Sequence, residues 1–558
     1  MDTETDSNGN LLLLADSDGD YLDQTDALSI ARFLHQTKYQ NSWNFFYNLT
    51  FDAEVILKTL GDILFEYEKK RKLSFKIGDY HFNYIPTKKL SVAKGKHSAV
   101  FYDIAQYYAS SLVNAYQENI AKLPESYLQM KGKRDSFTKT YYNTRPRQVR
   151  EYCIQDCIYT KQLSEHWINL FNSAFGFYPR KWLSSGYLGE KVLINNKVNI
   201  PKFIETPFEI QDMAWSSYYG GRFEILKRGY IGEGYLYDIN SCYPFAFSKI
   251  PDITKGKWKN DLEILPDAHL GFFKIRCDIP FEQFIPPFAF RGTSKVIFPT
   301  GSFITYTTLA ELKNANPDHY KILESFQFVD DKPEYPFEDF VNVIYKKRLE
   351  LKEKGDPLQL PLKVILNAIY GKTSQRVGRN IGNLFNPVIA STITGTGRAM
   401  LYDFVTKNNI EKQTVSFATD SVITQKRLDI NSDRLGDFKF EKSGYDVYVL
   451  QNGIYRFNGK WKQRGLGKLG ARTIEQIDTE ERDGQLYMKF KVLRVSRLRS
   501  SIIANEIDKI GQFNVLERKV RLNADTKRLW FEKLTNINDK TMMISFPIPI
   551  PYISQNII

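Results

Sequence analysis

Apolar and polar positions change their rhythm near residue 200 and again near 455, and the segments between predict different architectures. Up to about 200, short apolar runs such as Leu11-Leu12-Leu13-Leu14 alternate with helical stretches at 26–35 and 52–64. A short continuous apolar run suits a buried strand and a 3.6-residue repeat suits an amphipathic helix, so this part reads as α/β. Pro201, Pro207 and Gly220-Gly221 then punctuate a connector. Beyond it, Gly234-Tyr235-Leu236-Tyr237 is β-prone and brings Asp238 to a strand end, where Asn240 and Ser241 turn the chain. Val415 and Phe417 alternate into a second turn that Val422-Ile423 leave, which predicts a hairpin with Asp420 at its tip.

Between these strands the period becomes helical. Phe337, Phe340, Val341, Ile344 and Leu351 form the apolar stripe of one helix, and Gly355-Asp356-Pro357 signals a turn. Pro357 and Pro361 are tolerated at or near the start of a second helix, which Leu362, Ile365, Leu366 and Ile369 would pack. On it Lys363, Asn367 and Tyr370 fall at i, i+4 and i+7 and share a face. Arg348 and Lys352 lie one turn apart on the first helix, so a helical hairpin would present them together with Lys363; Lys346 and Lys347 read as a solvated face.

Composition narrows the function. The 558 residues suggest roughly three to four domains at ~150 residues each. With 77 Lys+Arg against 64 Asp+Glu the formal charge is +13, which favours a polyanionic partner over an acidic small substrate. The excess concentrates at 455–530, with 18 Lys+Arg against 9 Asp+Glu. Aromatics make up 14% of the chain, enough to fill cores and leave some rings for stacking on unpaired bases. Four cysteines argue against a disulfide framework and for a reducing compartment. Cys153 and Cys157 sit as helix neighbours without zinc spacing, and the six histidines are scattered, so no structural zinc is expected. The start, Met1-Asp2-Thr3-Glu4, lacks the features of a signal peptide, and no apolar run approaches ~18 residues; a soluble, intracellular protein is expected.

Three segments carry the chemistry: Asp238-Ile239-Asn240-Ser241-Cys242-Tyr243-Pro244, Lys363-Val364-Ile365-Leu366-Asn367-Ala368-Ile369-Tyr370-Gly371, and Thr419-Asp420-Ser421. A hard cation such as Mg2+ needs only one or two carboxylates besides substrate phosphates and waters. Two acids flanking a basic helix therefore suit phosphoryl transfer onto a growing nucleic-acid strand. Order and spacing resemble motifs A, B and C of family B DNA polymerases.

The resemblance implies that Asp238 and Asp420 hold two Mg2+ ions, with Mn2+ as a substitute, and that Tyr243 lies beneath the incoming sugar and excludes a 2'-hydroxyl. It places Arg348, Lys352, Lys363, Asn367 and Tyr370 at the nucleotide. Three positions depart from the family: Cys242 replaces a leucine, Ala368 a serine, and Ala418 the first aspartate of Tyr-x-Asp-Thr-Asp-Ser. These changes are expected to alter packing, affinity, rate or fidelity rather than reaction type.

The amino-terminal segment carries a second set, Asp2-x-Glu4, Asn48-Leu49-Thr50-Phe51-Asp52 and Tyr152-Cys153-Ile154-Gln155-Asp156, which resembles a proofreading 3'-5' exonuclease. Asp2, Glu4, Asp52 and Asp156 would hold two divalent ions, Tyr152 would orient the attacking water, and Lys131 matches the auxiliary lysine. Asp2 directly follows Met1, so fraying at this strand would disable editing and leave synthesis intact.

Further segments point to the viral and organellar branch that includes protein-primed phage polymerases. Tyr218-Tyr219-Gly220-Gly221 is similar to its Tyr-x-Gly-Gly linker, Thr394-Gly395-Thr396-Gly397-Arg398 to its Thr-x-x-Gly-Arg motif, and Lys462-Gln463-Arg464-Gly465 stands where Lys-x-Tyr is usual. This makes Asn48, Tyr218, Gly220, Gly221, Thr394, Arg398, Lys462 and Arg464 DNA-contact candidates, with Lys489, Lys491, Arg494, Arg497 and Arg499 gripping duplex backbone.

The implied architecture is α/β and α+β multidomain, an RNase H-like exonuclease followed by a right-hand polymerase. Its parts are an exonuclease at 1–200, a linker at 201–225, palm at 226–300, an insertion resembling a terminal-protein region at 301–340, fingers at 341–371, palm again at 372–455, and thumb and tail at 456–558. The insertion between Gly371 and Thr394 linked to strand displacement is expected to be reduced or missing. Implied partners are primer-template DNA, deoxynucleoside triphosphates, and a terminal-protein primer or replication accessory proteins; a viral or phage chain would work in the host cytoplasm. A stand-alone 3'-5' exonuclease and a non-catalytic DNA-binding replication factor remain as alternatives.

Overall fold

Leu11–Ala15 is a strand buried along its whole length, paired antiparallel with Asp2–Thr5 on one side and Tyr21–Leu22 on the other. It belongs to a computed structural model that describes residues 1–133, 137–292, 295–378, 380–464, 466, 474–537 and 539–550. The chain divides into two compact units, the first formed by Met1–Val192, Arg348–Ile365 and Leu493–Leu516, and the second by the rest.

In the first unit a five-stranded sheet runs in the order Asn44–Phe46, His97–Asp103, Lys89–Lys94, Tyr80–Ile85, Ser74–Ile77. Its first pair is parallel and the others antiparallel. The expected early helices are present, with shifted ends. Ala27–Leu34 is capped by the Asp26 carboxylate, which accepts from the Leu28 and Ser29 N–H groups. Leu49–Lys58 starts earlier than periodicity suggested and ends before a short 3-10 turn at Gly61–Phe65. The helix Pro146–Phe175 opens on a proline at its first turn, where no N–H partner is lost, and ends at Gly176 with φ +76°.

The second unit is built on a nine-stranded sheet. Its main path runs Lys460–Gln463, Ile454–Phe457, Phe438–Gln451, Lys227–Ile239, Ser421–Thr424, Thr414–Thr419, Arg222–Ile225. Met542–Phe546 pairs with the start of Lys227–Ile239, so the segment expected as thumb and tail returns to the palm-like sheet. The expected connector at 201–225 is ordered: it contains the helix Phe208–Ser216 and the edge strand Arg222–Ile225. The expected insertion at 301–340 is likewise integral. Gly301–Thr308 and Tyr320–Val329 flank Ala268–Ile279 in a four-stranded sheet, and Thr308 opens the helix Leu309–Asn314 through a capping box with Glu311. The helix Pro387–Lys407 packs against Cys242–Ser248, Phe208–Ser216 and Leu309–Asn314. Between residues 371 and 394 stands one small hairpin, Arg376–Val377 with Asn380–Ile381. Among the described residues no helix is long and apolar enough to cross a membrane.

Candidate active site

The two acids expected to hold metal ions end adjoining strands. Asp238 lies opposite Ser421, and the Ile239 N–H donates to the Asp420 carbonyl at 2.8 Å. The hairpin tip is tight: Thr419 takes φ +69°, and the Asp420 N–H bonds back to the Ala418 carbonyl at 2.8 Å. Burial raises the Asp238 carboxyl to about 7, helped by repulsion from Asp420 and Glu441, while Lys462 pulls it down. Burial also raises Asp420, again against Lys462. Two oxygen donors that repel each other in a partly desolvated site are what a divalent ion relieves, so the donor set fits Mg2+.

Around these acids the packing is close. A Cβ on Gly221 would sit 2.9 Å from both Tyr243 Oη and Thr419 Cγ2. The rings of Tyr243 and Tyr370 meet at 4.3 Å, bringing the expected sugar-facing tyrosine to the last of the three helix-face residues. Lys363, Asn367 and Tyr370 lie on the helix Gln359–Thr373, with Lys363 and Asn367 exposed. Arg348, half-buried, and Lys352, exposed, lie on Glu338–Glu353. Arg464 N–H bonds to the Gly453 carbonyl and its guanidinium stands 5.4 Å from the Phe223 ring; Gly465 lies outside the described residues.

Two expected DNA contacts are corrected. Arg398 is 2% exposed, and its guanidinium is spent internally, with Nε and Nη2 on Glu311 at 2.8 and 2.9 Å and Nη1 on the Gly220 carbonyl at 2.6 Å. It holds the Tyr218–Gly221 segment in place and has no free face for a phosphate. Thr394 is also buried, its hydroxyl donating to the Ala390 carbonyl. The glycines of this motif serve packing: a Cβ on Gly397 would come within 3.2 Å of Cys242 Sγ, and one on Gly395 within 2.4 Å of Thr308 Oγ1.

The second set assembles within the first unit. Glu4 is buried, and Asp52 Oδ1 accepts from Thr3 N–H and Thr3 Oγ1 at 3.1 and 2.7 Å. Burial drives the Asp2 carboxyl well up, and Asp156, Asp52 and Glu4 add repulsion in that order, so the four acids share one field. Lys131 Nζ reaches Asp156 Oδ2 at 2.9 Å, and Tyr152 Oη reaches the same oxygen at 3.2 Å. The strand pairs from Asp2 itself, Asp2 opposite Ala15, and the Met1 ammonium donates to the Phe45 carbonyl at 2.8 Å, which holds the segment carrying Asp2 and Glu4 in the sheet. Asp2 Oδ2 is buried with no hydrogen-bond partner among the described residues, as an oxygen awaiting a cation would be. Asn48 takes φ +65°, its N–H held by Asp103 Oδ1 at 3.1 Å, and so starts the helix that carries Asp52.

The chain matches the family described as DNA polymerase type B, organellar and viral, over residues 34–432. It belongs to that family. The polymerase is 27% identical over 479 residues to the DNA polymerase of Acidianus bottle-shaped virus (isolate Italy/Pozzuoli), a match covering 78% of this chain and 70% of the relative. Its fold is that of Phi29 DNA polymerase. The complex of that enzyme with primer-template DNA and incoming nucleotide substrates aligns with TM-score 0.64 at 13% identity, covering 93% of this chain and 98% of the other. The orthorhombic crystal form aligns with TM-score 0.60 at 16% identity, covering 83% and 88%.

In this polymerase sequence reasoning missed several residues beside the acids. Glu441 falls in a bulge of the strand next to Asp238, between the Leu236 and Tyr237 pairings. Tyr127 donates its hydroxyl proton to Asp156 Oδ1 and stacks on Tyr152 at 5.7 Å. Cys153 has its sulfur within 4.8 Å of ligand oxygens of Asp2 and Glu4, but burial pushes the thiol well up and keeps it neutral, a poor ligand for a hard ion. Glu441 and Tyr127 belong to no quoted motif, so only the fold reveals them, and Cys153 lies inside one but without a role assigned to it.

Proposed function

We propose that this polymerase extends a DNA primer with deoxynucleoside triphosphates at Asp238 and Asp420, and trims mismatched 3' ends at Asp2, Glu4, Asp52 and Asp156. The observation that carries the reading is the pair of half-buried, mutually repelling carboxylates at adjoining strand ends, with Lys462 as their counter-cation. Two Mg2+ ions, held by that pair, would activate the primer 3'-oxygen and stabilise the pyrophosphate leaving group, with Mn2+ able to replace them.

The chain's own residues do the rest. Tyr243, confined between Gly221 and Tyr370, walls the sugar side of the nucleotide, where a 2'-hydroxyl would collide. Lys363 and Asn367, exposed on one helix face, bind triphosphate oxygens, with Arg348 and Lys352 adding positive charge. Lys462 and Arg464 hold the primer strand; Tyr218, Gly220 and Gly221 meet the template, and Asn48 the 3' end to be trimmed. In the editing site, Lys131 and Tyr152 fix the Asp156 carboxylate, which lies close enough to repel that of Asp2. Met1–Val192 of the first unit is then the exonuclease. The second unit supplies the palm sheet, the two helices around Gly355 supply fingers and the strands beyond 478 thumb, with Arg348–Ile365 and Leu493–Leu516 of these grouped in the first unit.

Primer-template DNA and deoxynucleotides are the substrates this reading requires, inside a host cell carrying a viral or phage-like replicon. A terminal-protein primer or replication accessory proteins are tested by extension of a deoxynucleotide-loaded protein hydroxyl. The direct test is Mg2+-dependent primer extension. Asp238→Ala and Asp420→Ala are expected to lower it by at least about 10³-fold, in the range for losing preorganised charge stabilisation. Undiminished synthesis by both variants would falsify the assignment.

A further inference from the structure

We propose that Asp2, Glu4 and Cys153 form a site for a thiophilic divalent cation of the Zn2+ class, and that the bound ion halts editing. The consequence for editing rests on the exonuclease reading; the site itself does not. All three residues belong to the first unit. Asp2 and Glu4 lie two apart on the strand Asp2–Thr5 and so share a face. The helix Pro146–Phe175 brings Cys153 to that strand, its Sγ 3.7 Å from the Asp2 carbonyl oxygen. One carboxylate oxygen from each acid and the Cys153 sulfur all lie within 4.8 Å of one another. Around a tetrahedral Zn2+, with bonds of about 2.3 Å to sulfur and about 2.0–2.2 Å to oxygen, such atoms stand roughly 3.4–3.6 Å apart. Small side-chain rotations close that gap.

This group is distinct from the four acids of the editing set. Among the described residues neither Asp52 nor Asp156 joins it. Asp156 is held instead by Tyr127, Tyr152 and Lys131, and Asp52 Oδ1 by Thr3. Asp2 Oδ2 is buried with no hydrogen-bond partner among the described residues, and Glu4 and Cys153 are 0% exposed. A donor set that contains one thiol discriminates by softness, since sulfur adds little for Mg2+, which takes oxygen ligands, and much for Zn2+.

Coordination deprotonates the thiol, and its proton leaves to solvent: Zn2+ and the Cys153 thiol become a zinc thiolate and H+. Three protein ligands leave the fourth position to water. The ion then occupies the Asp2 and Glu4 oxygens that the catalytic cations need, so excision stops. At Asp238 and Asp420 no cysteine completes a comparable group among the described residues, although Cys242 lies close enough to feel both charges. Editing is therefore the activity that this ion reaches through a thiol.

The full chain, without DNA or Mg2+, is titrated with Co2+ as a spectroscopic stand-in for Zn2+. One equivalent should develop a thiolate-to-Co2+ charge-transfer band that Zn2+ then abolishes. Cys153→Ser should lose the band, Glu4→Gln should weaken Co2+ binding at least about tenfold, and Asp52→Ala and Cys157→Ser should keep the band. In Mg2+, the Zn2+ level that halves excision of single-stranded DNA should be at least about tenfold lower for the unaltered chain than for Cys153→Ser, each measured against its own rate without Zn2+. Thermal unfolding checks that the variants fold, and Glu4→Gln decides the matter if Cys153→Ser does not. No thiolate band in the unaltered chain, or an undiminished band in Cys153→Ser, would overturn the site. Equal Zn2+ sensitivity of the two excision rates would overturn the effect on editing. Absence of excision in Mg2+ alone would instead sink the exonuclease reading, and the band would still decide the site.

Discussion

Gly221 leaves no room for a side chain, because a Cβ there meets the tip of Tyr243 and the backbone and methyl of Thr419 together. Gly221→Ala should therefore push the sugar-side tyrosine off its position, costing about 1–3 kcal/mol of stability and slowing nucleotide addition more than it weakens DNA binding. Single-turnover extension against DNA titration checks this. At the editing site, Tyr127→Phe removes a hydrogen bond to a buried carboxylate and should lower excision of single-stranded DNA about tenfold at unchanged extension, read from paired nuclease and polymerase rates. The place of Asp238 and Asp420 at adjoining strand ends was legible in the chain, because a β-prone run leads into each. Arg398 was not: a buried arginine and a surface one share a letter, and its partner Glu311 lies 87 residues away.

At the scale of elements, that same pair ties the helix Pro387–Lys407 to the helix Leu309–Asn314, both groups at most 3% exposed in their side chains. Glu311→Ala strands the Arg398 charge and should cost about 3–5 kcal/mol, measured by denaturant unfolding. The strand His97–Asp103 ends in a carboxyl that burial lifts from its ordinary 3.8 to about 6, against the N–H groups of Ala105, Asn48 and Leu49 that pull it down. The folded state thus binds this proton more tightly than the unfolded chain. The stabilisation it brings is complete below about 4 and is lost as pH rises through about 6. Asp103→Asn keeps the acceptor oxygen and removes the titration, so its melting temperature should rise relative to the unaltered chain between pH 4 and 7. The buried strand at 11–15 and the helices around Gly355 were readable from their periods. The helix Phe208–Ser216 inside the connector was not legible, because Pro207, which punctuates the segment, stands at its N-cap, where a proline is tolerated.

For the whole molecule, a formal charge of +13 and two acid clusters in one chain imply a DNA-binding enzyme in which synthesis and editing draw on separate residues. The amino-terminal acids belong to the first compact unit and Asp238 and Asp420 to the second, so each activity should be removable alone. The most direct measurement follows a labelled primer on a template with three of the four deoxynucleotides supplied, for the unaltered chain, Asp52→Ala and Asp420→Ala. The account predicts that the unaltered chain stops at the missing base and idles there, turning triphosphates into monophosphates. Asp52→Ala should stop without turnover, and Asp420→Ala should only shorten the primer. Continued extension by Asp420→Ala, or continued turnover by Asp52→Ala, would contradict the assignment of two activities to these two acid clusters.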